Sequence, residues 1–206
     1  MRVIIGRASA TAAAVLFGLL LSAASGWAQD TVRLRGTIEA VDGDLLRIKT
    51  REGNDVKLKL AANPGIAAVT KATMADIKPN SYIGVGALPQ ADGSLRAISV
   101  QIFAEAMRGL AEGHRPWDLQ PGSSMTNATV ESTVAGVAGQ TVALKYKDGE
   151  QKIVIPPDLQ IVAYVPGETA DLKAGARVFV AAAARQPDGT LQAQRITVGR
   201  DASPPM

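Results

Sequence analysis

The chain has 206 residues, with 22 Lys and Arg against 19 Asp and Glu, one histidine and no cysteine. Without cysteine there are no disulfides, no thiolate zinc site, no haem-attachment motif and no thiol nucleophile, and a lipid anchor built on a cysteine is excluded as well. The folded body must therefore be held together by burial and hydrogen bonding alone.

The first segment reads as a secretory signal peptide. Arg2 and Arg7 supply a short positive region, and Ala12 to Ala24 forms an apolar run too short to span a bilayer, which takes about 20 apolar residues. Gly26-Trp27-Ala28 then offers a small-x-small cleavage pattern, so the mature chain is expected to begin at Gln29, free in the periplasm or secreted, with no stable membrane span. Removing Arg2 and Arg7 takes the 22 basic residues to 20 against 19 acidic ones, a net charge of +1. That balance offers no electrostatic footprint for nucleic acid or anionic lipid.

From residue 32 onwards apolar residues alternate with polar ones, the period of half-buried strands. Strands are predicted over 32–41, 45–51, 55–60, 66–70, 81–88 and 94–103, and again over 127–137, 140–147, 150–155, 159–165, 176–185 and 190–198. The breaks at 42–43, 52–53, 92–93, 148–149 and 188–189 are Asp-Gly or Glu-Gly pairs, suited to tight hairpins. A single helical turn is expected near Thr73 to Lys78 and near Thr169 to Lys173, with Thr or Asp as cap.

The second set of strands repeats the first. Thr37 to Gly43 falls on Thr133 to Gly139, and Leu46, Ile48 and Gly53 fall on Val142, Leu144 and Gly149, at an offset of 96. Asp76-Ile77-Lys78 meets Asp171-Leu172-Lys173 at 95, and Asp92-Gly93 meets Asp188-Gly189 at 96 again. Duplication of a folding unit explains this. The expectation is an all-β protein of two tandem small antiparallel β-barrels, OB-like or SH3-like. Residues 29–104 make the first copy, 105–126 a short, partly helical connector, 127–200 the second copy and 201–206 a disordered tail.

The run Arg35 to Gly53, Ala75 to Tyr82 and Ala91 to Ala97, matched in copy two by Ala170 to Gly175 and Pro187 to Ala193, resembles the exported bacterial module called domain of unknown function 5666. The resemblance rests on turn and core positions. It implies the fold and carries over no activity and no site residues.

The connector is the one stretch that the repeat does not explain. Glu105 to Glu112 is expected to form up to two helical turns ended by Gly113. His114-Arg115-Pro116-Trp117-Asp118 follows, holding the sole histidine and the sole tryptophan of the expected mature chain. Flexible linkers are dominated by Gly and Ser, so this composition marks a docked segment. Trp117 and Leu119 are expected to pack between the barrels, with Asp118 on Arg115 or capping a turn, and His114, Arg115, Trp117 and Asp118 are the candidate residues for a ligand or partner.

Other chemistries can be set against these residues. Met107, His114 and Met125 are the residue types that suit copper in an exported protein, giving an alternative of periplasmic metal handling. A remote alternative is a hydrolase with His114 serving Ser123 or Ser124 and Asp118 orienting it, although no Gly-x-Ser-x-Gly elbow is present. Asp42-Gly43-Asp44 lacks the glutamate that closes a calcium loop, and the aromatic residues of the barrels do not recur between copies as a base-stacking platform would. The sequence points to a non-enzymatic periplasmic binding or envelope-support protein with no cofactor, whose partner is an envelope protein, a polymer or a small ligand.

Overall fold

The computed structural model describes residues 30–136 and 139–205; the expected signal peptide lies outside them. The chain is all-β, and alternation sets the strands. They are β1 (Thr31–Asp42), β2 (Leu45–Thr50), β3 (Asp55–Ala72), β4 (Tyr82–Pro89), β5 (Leu95–Ile102), β6 (Gly113–Pro116), β7 (Ser124–Gly136), β8 (Gly139–Tyr146), β9 (Gly149–Ile155), β10 (Ile161–Pro166), β11 (Arg177–Arg185) and β12 (Leu191–Gly199). Turns form where glycine supplies positive φ, as at Gly43 (60°) and Gly189 (82°). The expected helical turns are short 3₁₀ segments, Met74–Asp76 and Thr169–Asp171. In the first, the Thr73 backbone N–H and hydroxyl both donate to the Asp76 carboxylate at 2.8 Å.

The ladders close two five-stranded circuits. In the first, β1 pairs with β2, β2 with β3, β3 with β12, β12 with β11 and β11 with β1. In the second, β7 pairs with β8, β8 with β9, β9 with β5, β5 with β4 and β4 with β7. Each is antiparallel except for one parallel junction, β3–β12 or β5–β9. The first is filled by Leu34, Ile38, Leu46, Ile48, Leu58, Val178, Val180, Ile196 and Val198, all buried. Ile83, Val85, Val100, Val130, Val142, Leu144, Ile153 and Ile155 fill the second.

This arrangement corrects the expectation of one barrel per copy. Each circuit joins the first three strands of one copy to the last two of the other, so the copies have exchanged strands. The second barrel is a continuous stretch from β4 to β9, inserted into a first barrel made from the two ends of the chain. Between them, the far half of β3 pairs with β10 around an apparent two-fold axis at the Val69–Tyr164 pair: Ile161 opposes Ala72 on one side, and the Gly167 N–H donates to the Ile66 carbonyl at 3.1 Å on the other. A third core of Val69, Tyr82, Phe103, Val162 and Tyr164 forms here, with ring centroids 5.5 Å apart for Tyr82–Phe103 and 5.2 Å for Phe103–Tyr164. Small barrels bury modest cores, and exchange adds this one.

Three further expectations change. The 66–70 strand is the continuation of β3, which runs unbroken between the barrels. The connector is not helical beyond a 3₁₀ turn at Glu105–Met107; positive φ at Gly109 (82°) and Ala111 (47°) ends it, and β6 follows. The tail is packed through residue 205: Pro204 is buried, the Asp201 carboxylate accepts from the Lys71 N–H at 2.9 Å, and Arg177 donates to Ser203 at 3.2 Å. No helix among the described residues is long and apolar enough to cross a membrane.

Candidate functional site

The connector starts and ends on the second barrel and reaches across to the first. Its backbone is clamped by two buried donors, because Tyr82 Oη and Asn127 Nδ2 both donate to the Leu110 carbonyl, at 3.1 and 3.0 Å. Burial pushes the Tyr82 phenol up to about 12, with Glu112 adding to the shift. The Glu112 carboxylate accepts from the Lys147 N–H at 3.0 Å, after which β6 pairs with the first residues of β7, Gly113 opposite Asn127 through Pro116 opposite Ser124.

Beyond β6 the chain turns through 117–123 and is fastened to itself. The Trp117 N–H donates to the Ser123 carbonyl at 2.8 Å, and the single Ser123 hydroxyl proton is shared between the carbonyls of Gln120 (2.7 Å) and Trp117 (3.0 Å). The loop thereby aims Trp117 and Asp118 at the outer face of β1. Alternation turns Leu34 inward and Arg33 and Arg35 outward.

Arg35 is the centre of the site. Its side chain is only 5 % exposed, and it lies between two rings, 5.5 Å from the Trp117 centroid and 4.9 Å from that of Phe179. The rings meet edge to face with centroids 6.3 Å apart. A buried guanidinium needs a counter-charge, and Asp118 accepts from both terminal nitrogens of Arg35, at 2.8 and 3.2 Å. Arg33 reaches the same carboxylate at 3.3 Å and lies 4.5 Å from the Trp117 centroid. Bonding to Arg35 first, and the charges of both arginines, hold the Asp118 carboxyl down at about 2. Arg115 lies over the same indole at 5.8 Å and donates to the Ala111 carbonyl at 2.7 Å. Burial and the neighbouring Arg33 lower the Arg115 guanidinium from its ordinary value. Three guanidiniums thus surround one indole, and one carboxylate serves two of them, Arg33 and Arg35.

Trp117 and Asp118 therefore anchor the connector to the first barrel, and Asp118 pairs with Arg35 and Arg33 instead of Arg115. His114 is exposed, its Nδ1 2.8 Å from Thr126 Oγ1. The three candidate metal ligands occupy three different surroundings: His114 on Thr126, Met107 against the Tyr82–Phe103 cluster, and Met125 buried with Sδ 4.0 Å from Gln101 Nε2. The hydrolase arrangement is likewise not assembled, since His114 meets Thr126, Ser123 is bonded to backbone and Asp118 to arginine. No group of three or more His, Asp or Glu able to hold a metal ion occurs among the described residues.

Sequence reasoning missed Arg33, Arg35 and Phe179. Outward residues on an alternating strand read as solvated, and the signal that could have singled them out is an outward aromatic, Phe179, directly opposite Arg35 in the β1–β11 register. Compared with protein-family models, with curated proteins and with solved structures, the chain gives no match.

Proposed function

We propose that the chain is an exported, non-enzymatic binding or envelope-support protein, working in the periplasm or outside the cell after cleavage behind Ala28, and that its binding face is formed where the connector meets the first barrel. One observation carries the reading: Arg33, Arg35 and Arg115 gather round Trp117, and the one carboxylate among them, Asp118, pairs with Arg33 and Arg35 alone. Charge assembled beyond what its internal partner neutralises, on a rigid support, is how a protein presents itself to an oppositely charged group. The strand order of the first barrel, β1-β2-β3-β12-β11 with a parallel β3–β12 junction, supports the OB-like form of the barrel, and the turn and core positions support kinship with domain of unknown function 5666.

Two measurements test this. N-terminal sequencing of the protein recovered from a periplasmic fraction is expected to begin at Gln29; recovery of intact Met1 from membranes would reject export as a cleaved protein. A photo-reactive residue at position 114 or 33 is expected to give a discrete adduct in cells, and the same residue at exposed Asp148 none. Identical labelling at all three positions would reject the connector face as the binding face.

A further inference from the structure

The two barrels differ along one strand edge, and the difference is informative. On β7, the Val130 N–H donates to the Ser81 carbonyl and its carbonyl accepts from Asn80, so even-numbered residues of this stretch turn their backbone groups towards β4. Met125 and Asn127 consequently turn theirs the other way, towards β6, which occupies that edge. Ile38 opposes Ile48 on β1 as Val130 opposes Leu144 on β7, so the β1 residues equivalent to Met125 and Asn127 are Arg33 and Arg35. The Ile38 N–H donates to the Ala176 carbonyl, and the Arg35 carbonyl accepts from Arg51 on the opposite side, so the backbone groups of Thr31 and Arg33 face away from β11. Pairing with β2 begins only at Gly36, and no described residue pairs with the earlier part of that edge. A cleft of about 600 Å³ opens beside it, lined by the apolar Val32, Leu34, Val56 and Leu191, with two acidic and two basic residues among the rest of its lining.

We propose that the open edge of β1, Thr31 to Leu34, takes up an extended acidic segment of a partner protein as an added strand, in the way β6 completes β7. The proposal rests on the chain being a binding protein and names the partner's chemistry. Main-chain hydrogen bonds from Thr31 and Arg33 hold the segment, and alternate side chains divide between the two faces. Those turned inward enter the cleft, where Val32, Leu34, Val56 and Leu191 favour small apolar groups. Those turned outward lie beside the exposed guanidinium of Arg33, which favours carboxylates. A second copy of this chain is disfavoured, because pairing two β1 edges would set Arg33 and Arg35 of both against each other, and like charges facing across a ladder are destabilising.

The test uses the full chain with a capped heptapeptide alternating glutamate and valine, and a lysine–valine counterpart. Binding is read by calorimetry and backbone amide exchange. The glutamate peptide is expected to bind at least about tenfold more tightly than the lysine peptide and to slow exchange at Thr31 and Arg33. Proline at either position removes an outward-facing N–H that serves no native ladder, so Thr31→Pro and Arg33→Pro are each expected to abolish binding; Thr31→Pro, at the strand's first residue, is expected to leave the thermal midpoint unchanged. Absence of binding, equal binding of both peptides, protection confined to other strands, or Thr31→Pro binding as the parent does would each overturn the proposal. Pairing of two copies, seen as a concentration-dependent dimer protected at the same amides without peptide, would overturn it in favour of self-association. Adducts at position 114 with no peptide binding would leave the broader reading standing and remove this one.

Discussion

Trp117 is the residue on which the connector turns. It is half-buried against Arg33, Arg35 and Phe179, and removing a well-packed Trp costs about 3–5 kcal/mol when burial is complete. For this half-buried ring the Trp117→Ala cost is expected to be about 2 kcal/mol, read as a fall of several degrees in thermal midpoint. An unchanged midpoint would mean that the ring is not an anchor. Asp118 acts through charge. Its folded pKa of about 2 lies below the ordinary 3.8, so the stabilisation it contributes is complete above that ordinary value and is lost as pH falls through about 2. Asp118→Asn is expected to flatten the acid limb of the stability profile between about pH 4 and 2, and also to lower stability at neutral pH by leaving Arg35 buried beside two rings without its carboxylate. With Asp118 itself 43 % exposed, that neutral-pH cost is expected at roughly 1–2 kcal/mol, below the range for fully buried pairs. Urea unfolding across pH measures both effects.

At the scale of elements, alternation located nearly every strand, because an apolar face must be buried whichever partner covers it. It could not give the register. Ile38 opposes Ile48 and Val130 opposes Leu144, so the structural counterpart of Ile38 is Val130, and not Val134 as the sequence repeat suggested. The β7–β8 hairpin is four residues longer than β1–β2, and a shift of four returns every side chain to the same face, so both alignments bury apolar residues equally well. β6 was invisible for a different reason: a four-residue strand ending in proline has too little alternation to detect, and its existence depends on the vacant edge of β7. Arg115 opposes Met125 there, so Arg115→Pro is expected to speed amide exchange at Met125 and Asn127, whereas Arg115→Ala leaves the ladder intact. Equal protection in both variants would show that β6 contributes no hydrogen bonds to β7.

At the scale of the molecule, the exchange of strands could not be read from the repeat, because the same linkers let the fourth and fifth strands close either barrel. What favours exchange is the third core, whose Val69, Tyr82 and Val162 are almost wholly buried and which separate barrels would leave in water. Nesting makes the two barrels unequal in what they need from the chain. A chain ending at Ala174 lacks β11 and β12, two of the five strands of the first barrel, yet keeps all of the second. It is expected to lose amide protection in β1 and β2 while β4, β5 and β7 to β9 stay protected; simultaneous loss throughout would show that the two barrels form one cooperative unit.

The pairing of Gly36 with Val178 has a consequence for the chain before it is complete. Emerging from its N-terminus, the chain presents β1 to β3 first and the strands that close them last. The first sheet to emerge must therefore wait, its edges and apolar face uncovered, while the inserted barrel is still emerging. Contacts of such sequence separation are slow to form, and waiting sheet edges invite association with other chains. The same nesting that gives the finished protein its third core thus makes the interval between its first and last strands the period in which a newly made chain is most exposed to aggregation.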